Sequence, residues 1–193
     1  MEQKELDGEV VPSVKLIREG FEMVLEGLGF DWRNEPHMQE TPMRAAEAWF
    51  FELCQGKTGD APKITLFKQP GDSGMVILNH IPVKSMCAHH LLPFVGEASV
   101  GYVMEDQIIG LSKLSRIVDY FSRRPQVQED LTNQIADFLE DLKASGVGVV
   151  IKASHLCMVL RGTNHESEMV TSALRGVFLD AEVRAEFLKL AGV

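Results

Sequence analysis

Three cysteines in 193 residues are too few for a disulfide framework and cannot all pair. In a reducing compartment, so small a set combined with histidine belongs more often to a metal or catalytic site than to a bridge. Positive charge is also scarce, because 19 Lys and Arg against 28 Asp and Glu leave a formal net charge of -9. Without a broad basic face, neither a nucleic acid nor a membrane surface is an expected partner, since both are polyanionic. An anionic small molecule would have to be held by a local cluster of cations. No apolar run approaches the roughly 20 residues that cross a bilayer. The opening Met1-Glu2-Gln3-Lys4-Glu5-Leu6-Asp7 has neither the basic nor the apolar region of a secretory signal. The expectation is a cytoplasmic protein.

What is present suffices for one full core, with 45% of residues hydrophobic. Residues 1–12 are charged, aperiodic and closed by Pro12, and are expected to form a mobile arm. Residues 13–62 read as a helical region. Ser13 caps a helix with Val14, Ile17, Phe21, Val24, Leu25 and Leu28 on one side, ended by Gly29. Thr41-Pro42 opens a second helix through Ala45, Ala46, Trp49, Phe50 and Leu53, ended by Gly56. Residues 63–193 change character. Strands are expected at Ile64–Phe67, Met75–Leu78, Val95–Val103 and Val147–Ala153, and helices from Ser112, from Val127 to Leu142 and from Asp180. The sum is α+β, with helices laid on an antiparallel sheet.

Two stretches far apart, Cys87-Ala88-His89-His90 and His155-Leu156-Cys157, hold two of the three cysteines and three of the six histidines. Cys87 and His90, three apart ahead of Pro93, suit a tight turn or a single helical turn that brings sulfur and nitrogen to one ion. If the last strand stays extended, His155 and Cys157 share a face about 6.6 Å apart, so that one binds a metal and the other acts on its substrate. Two soft thiolates with an imidazole favour Zn²⁺ over Mg²⁺ or Ca²⁺, and three protein ligands leave a fourth position open. His89 as a fourth ligand would instead close the site. Cys54 reads as a small core residue, and His37, His80 and His165 as surface or loop histidines.

Further residues suit an anionic purine. Ser112-Lys113-Leu114-Ser115-Arg116 opens a helix, so backbone N–H groups, Lys113 and Arg116 can converge on a phosphate. Gln128 and Glu129 begin the next helix, where the Glu129 carboxylate can accept from N1–H and the 2-amino group of guanine and Gln128 can meet another polar atom. Arg161-Gly162 places another cation just beyond Cys157.

Taken in order, Ser85–Phe94, Gly110–Arg116, Gln126–Thr132 and His155–Gly162 resemble the signatures of the GTP cyclohydrolase I family, with looser likeness at Glu40–Arg44 and Arg184–Leu188. The resemblance implies the tunnelling fold, a small antiparallel sheet backed by two helices, with the sheets of several subunits joined into a barrel. It implies a homo-oligomer, typically a decamer, with active sites between subunits. Cys87, His90 and Cys157 would hold Zn²⁺, and His89 and His155 would move protons. Ser112, Lys113, Arg116 and Arg161 would grip a triphosphate, with Arg44 reaching in from a neighbour, while Gln128 and Glu129 would read guanine. The implied reaction opens the imidazole ring of GTP, releases formate and yields 7,8-dihydroneopterin triphosphate, the first step of folate, pterin or deazapurine synthesis. Ala88 stands where the family usually has Glu, Pro125 replaces an aliphatic and Asp130 an Arg, and Thr163–Glu166 departs from the usual continuation. The competing expectation is a catalytically quiet relative that only binds a purine or pterin nucleotide.

Overall fold

The computed structural model describes residues 14–72, 74–162 and 164–193. The arm expected over residues 1–12 and the cap at Ser13 lie outside them. The chain divides after Gly59 into two compact units.

In the first unit, α1 (Val14–Gly27) turns off at Gly29, whose φ of 80° is the left-handed conformation that closes a helix. Ile17, Phe21 and Leu25 are half-buried, whereas Val24 and Leu28 of the expected apolar side are exposed. Phe21 meets Trp49 edge to face at 5.6 Å. The second helix departs from expectation. Thr41 is its first residue rather than its cap, α2 (Thr41–Glu47) passes into a π-helical turn over Ala48–Leu53, and α3 (Gln55–Thr58) follows. Gly56 does not end the helix but is buried inside α3.

The second unit is built on a five-stranded sheet in the order β5-β2-β3-β6-β7. The strands are β2 (Val76–Cys87), β3 (Pro93–Val103), β5 (Pro125–Gln126), β6 (Gly146–His155) and β7 (Glu168–Gly176). All pairings are antiparallel except the short parallel contact of β5 with the end of β2. A separate ribbon pairs β1 (Leu66–Asp72) with β4 (Glu105–Ile109). β2 is far longer than the four residues expected. Its Pro82 is tolerated because β5 reaches only Met86 and Cys87, so Pro82 sits on an open edge where no ladder N–H is required. A bulge between Leu78 and Ile81 puts His80 at φ 56°.

Strand alternation sends the two faces of the sheet to different cores. Val147, Val149, Ile151 and Ala153 of β6 face α4 (Leu111–Ser122) and α5 (Gln128–Glu140), packing with Leu114, Ile117, Val118, Leu131 and Ile135. Val150 faces the other way, onto Phe178 and onto Phe187 of α7 (Ala181–Leu190). Asp180 caps α7 as expected, accepting from the N–H of Glu182 and Val183. Gly101 and Gly148, paired across β3 and β6, form the notch that admits the Phe187 ring, since a Cβ on Gly148 would lie 2.8 Å from Phe187 Cε1. The strands β4 and β7 were not anticipated. No helix of the described residues is long and apolar enough to cross a membrane.

Candidate metal centre and active site

The end of the sheet at which β2 stops and β6 stops gathers the chemistry. Cys87 is the last residue of β2, and its N–H donates to Leu92 O at 2.8 Å while its carbonyl accepts from Leu91 N at 2.8 Å. These two bonds close a tight turn around Ala88-His89-His90, with Leu91 at φ 55°. The Ala88 N–H donates to Gln126 O at 3.0 Å, tying the turn to β5. Cys87 is therefore buried and held by backbone on both sides, while His89 and His90 are exposed.

The other half comes from β6. The strand ends at His155, and the next residues form a short helical turn, α6 (Leu156–Val159). The extended H-x-C geometry is thus corrected: Cys157 lies on a helical turn, not on the strand. The turn nonetheless brings its sulfur back, and the ligand atoms of Cys87, His90 and Cys157 all lie within 4.8 Å of one another. Tetrahedral Zn–S and Zn–N bonds would set such atoms about 3.5–3.8 Å apart, so the group fits one soft cation after a small contraction. Burial, then the facing Cys87 thiol, push the Cys157 thiol up, and Arg161 pulls it down. A Cys157 thiol that resists ionisation, facing Cys87, is one that a bound cation would convert to a thiolate.

His155 is fixed by two contacts. Its ring stacks on Phe94, the residue opposite it in the β3–β6 register, at 4.5 Å and 10°. Its Nε2 lies 2.8 Å from Gln128 Oε1. Burial lowers its pKa, opposed by the negative charge of Glu129. His89 is looser, with Nδ1 at 3.8 Å from Cys87 Sγ.

Gln128 is tied into the fold through its side chain. It is 1% exposed, and its Nε2 donates to Ile151 O, Met169 O and Thr171 Oγ1 at 3.0–3.1 Å. Its side chain is held by protein groups, with the second lone pair of Oε1 left over for a ligand. Glu129, next along α5, is exposed and near enough to His155 to act on its charge. Neither the stacking Phe94 nor the Thr171 contact was anticipated, because both arise from strand register between distant segments.

On α4, Ser112 is exposed and Lys113 half-buried, both in the first turn, where Gly110 rather than Ser112 occupies the cap. Arg116 lines a groove with Lys84, Ser115 and Asp119 over Ile81 and Pro82. Arg161 is exposed just past α6. Arg44 is exposed on α2, in the first unit. Cys54 is half-buried between the π turn and α3, and burial raises its thiol. His37, His80 and His165 are exposed, with His80 Nδ1 at 2.8 Å from Glu97 Oε2.

A Cys–His–Cys group beside a histidine held by a buried amide, at one end of an antiparallel sheet backed by two helices, defines a metal-site protein of the α+β class. The sequence profile described as GTP cyclohydrolase I matches residues 17–192. GTP cyclohydrolase 1 of Aquifex aeolicus is 48% identical over 178 residues, covering 90% of this chain and 94% of that protein. GTP cyclohydrolase 1 of Wolinella succinogenes is 42% identical over 177 residues, with coverage of 89% and 94%. GTP cyclohydrolase 1 1 of Pseudomonas aeruginosa is 45% identical over 175 residues, with coverage of 88% and 92%. The chain belongs to the GTP cyclohydrolase I family, and its sheet and two backing helices are the tunnelling fold.

Proposed function

We propose that this chain is a GTP cyclohydrolase: it opens the imidazole ring of GTP by hydrolysis at C8, releases formate and gives 7,8-dihydroneopterin triphosphate. The observation that carries the reading is the convergence of Cys87, His90 and Cys157 within 4.8 Å, next to a histidine whose ring is stacked and hydrogen-bonded into place. Family membership supplies the substrate class. Cys87, His90 and Cys157 would hold Zn²⁺, which when bound would polarise water and lower its pKa to about 7.

The protein groups do the rest. Glu129 accepts from the guanine N1–H and 2-amino group, and Gln128 meets another polar atom of the base. Ser112, Lys113, Arg116 and Arg161 bind the triphosphate, with Arg44 contributed by a neighbouring subunit, and they do so against an acidic chain of net charge -9. His155, neutral near pH 7 because burial disfavours its cation, takes a proton and returns it to the purine ring nitrogen as the C8–N bond opens. His89, exposed and beside Cys87, is the second proton carrier. Ala88 leaves no carboxylate next to it, so its orientation comes from the Cys87–Leu92 turn, the Cys87 sulfur and the edge of the His90 ring. The assembly is a homo-oligomer, a decamer with sites between subunits, in the cytoplasm.

The test is incubation of pure protein with GTP and Zn²⁺, followed by assay for formate and for the fluorescent oxidised pterin. Both products are expected in equal amounts. GTP binding without either product would refute the enzyme and leave a nucleotide-binding relative.

A further inference from the structure

Every polar atom of the buried Gln128 side chain has a partner, and together the partners determine where the hydrogens lie. Nε2 is 3.1 Å from Ile151 O, 3.0 Å from Met169 O and 3.1 Å from Thr171 Oγ1, while Oε1 is 2.8 Å from His155 Nε2. Exchanging the amide ends would set a carbonyl oxygen against two backbone carbonyl oxygens, none of which can donate. Oε1 therefore faces His155. Since that oxygen only accepts, the ring nitrogen opposite it carries the hydrogen. A neutral imidazole has one such hydrogen, so Nδ1 carries a bare lone pair.

The same logic runs on through two hydroxyls. Thr132 Oγ1 lies 2.7 Å from Gln128 O, one turn back on α5, and also 2.7 Å from Thr171 Oγ1 on β7. The carbonyl takes Thr132's single hydrogen. Thr171 must then donate to Thr132, which leaves a Thr171 lone pair for the Gln128 amide. The pair is partly buried and spans the α5–β7 contact, and isosteric valines would fill the space equally well. The hydroxyls add direction rather than volume.

We infer that Thr132 and Thr171 are positioning residues: acting through Gln128, with the Ile151 and Met169 carbonyls, they hold His155 as its Nε2–H tautomer with Nδ1 bare toward the site's chemistry. The tautomer does not depend on the substrate, whereas the effect on turnover rests on the GTP-opening reading.

Holoenzyme carrying ¹⁵N-histidine, examined by ring nitrogen–proton correlation at a pH where His155 is neutral, should show Nε2 protonated and Nδ1 bare. Thr171→Val should lower kcat about five- to tenfold, as expected for one lost neutral hydrogen bond, with KM changed less than about twofold. Its metal content should match that of the wild type, and Thr171→Ser should restore kcat to within about twofold. A wild-type ring protonated at Nδ1 would overturn the inference, and so would a valine variant with unchanged kcat or a serine variant that fails to restore it. If Thr171→Val does not fold, the wild-type ring measurement and the serine variant still decide. If wild-type protein releases no formate, the GTP reading fails, and the ring measurement still settles the tautomer.

Discussion

Phe187 offers a way to separate what holds this domain together from what it does. The ring is fully buried, meets Phe178 edge to face at 5.1 Å, and enters the notch left by Gly101 and Gly148. Phe187→Ala would empty that notch. The walls are two strands of the central sheet, whose ladders prevent collapse, so the full cavity term applies and the cost is about 3–5 kcal/mol. For a unit of about 130 residues that corresponds to a fall in Tm of roughly 10–18 °C. The site lies at the other end of the same strand: seven residues separate Gly148 from His155 in β6, about 23 Å of extended chain. The sheet between them keeps the register of β3 with β6 from Phe94↔His155 to Val103↔Gly146. Thermal unfolding should therefore show the full loss of stability, while kcat and KM for GTP, measured well below the new Tm, stay within about twofold of wild type. A fall in Tm below about 3 °C would refute the packing argument. A large loss of kcat in protein that is still folded would refute the independence of the two ends.

The remaining expectations concern the site. Cys157→Ala should abolish bound metal and turnover, because two remaining donors cannot hold the ion; one metal per chain in the variant, measured by elemental analysis, would overturn the ligand assignment. His155 works as a base only when neutral. Burial holds its pKa below the ordinary value of about 6.5, so the acid limb of kcat should lie below that pH. Glu129 raises that pKa, so Glu129→Gln should move the limb to still lower pH and also raise KM for GTP; a limb that stays in place would show that Glu129 does not act on His155. The same depression has a stability consequence. As pH falls from about 6.5 through the folded pKa, the unfolded chain takes up the proton first, so stability is lost over that window, and His155→Ala should flatten this part of the stability profile measured by denaturant titration.

The sequence made legible whatever depends on local pattern. The apolar spacing from Val14 to Leu25, the Gly29 stop, the Asp180 cap and the helix of Leu131, Ile135 and Leu139 needed no knowledge of distant segments. The candidate metal group was legible too, because C-x-x-H and H-x-C carry their chemistry in their residue types, although the choice between His155 and Cys157 needed more than spacing. Illegible were the features produced by pairing. β7 lacks the one-by-one alternation of a half-buried strand: Met169-Val170, Thr171-Ser172 and Ala173-Leu174 come in like pairs, which mask it until β6 supplies a partner. β2 runs through Pro82 only because its outer edge is open there. Gln128 is the sharpest case. At the start of a helix, beside an acid, a glutamine reads as a ligand-facing group. The α5–β6–β7 packing instead buries it against Ile151 O and Met169 O, two carbonyls from neighbouring strands. Whether an amide faces substrate or orients a catalytic ring is decided by strand register, and register is a property of two segments at once. The roles of single residues at this site are thus written locally for the atoms that bind metal and non-locally for the atoms that direct protons.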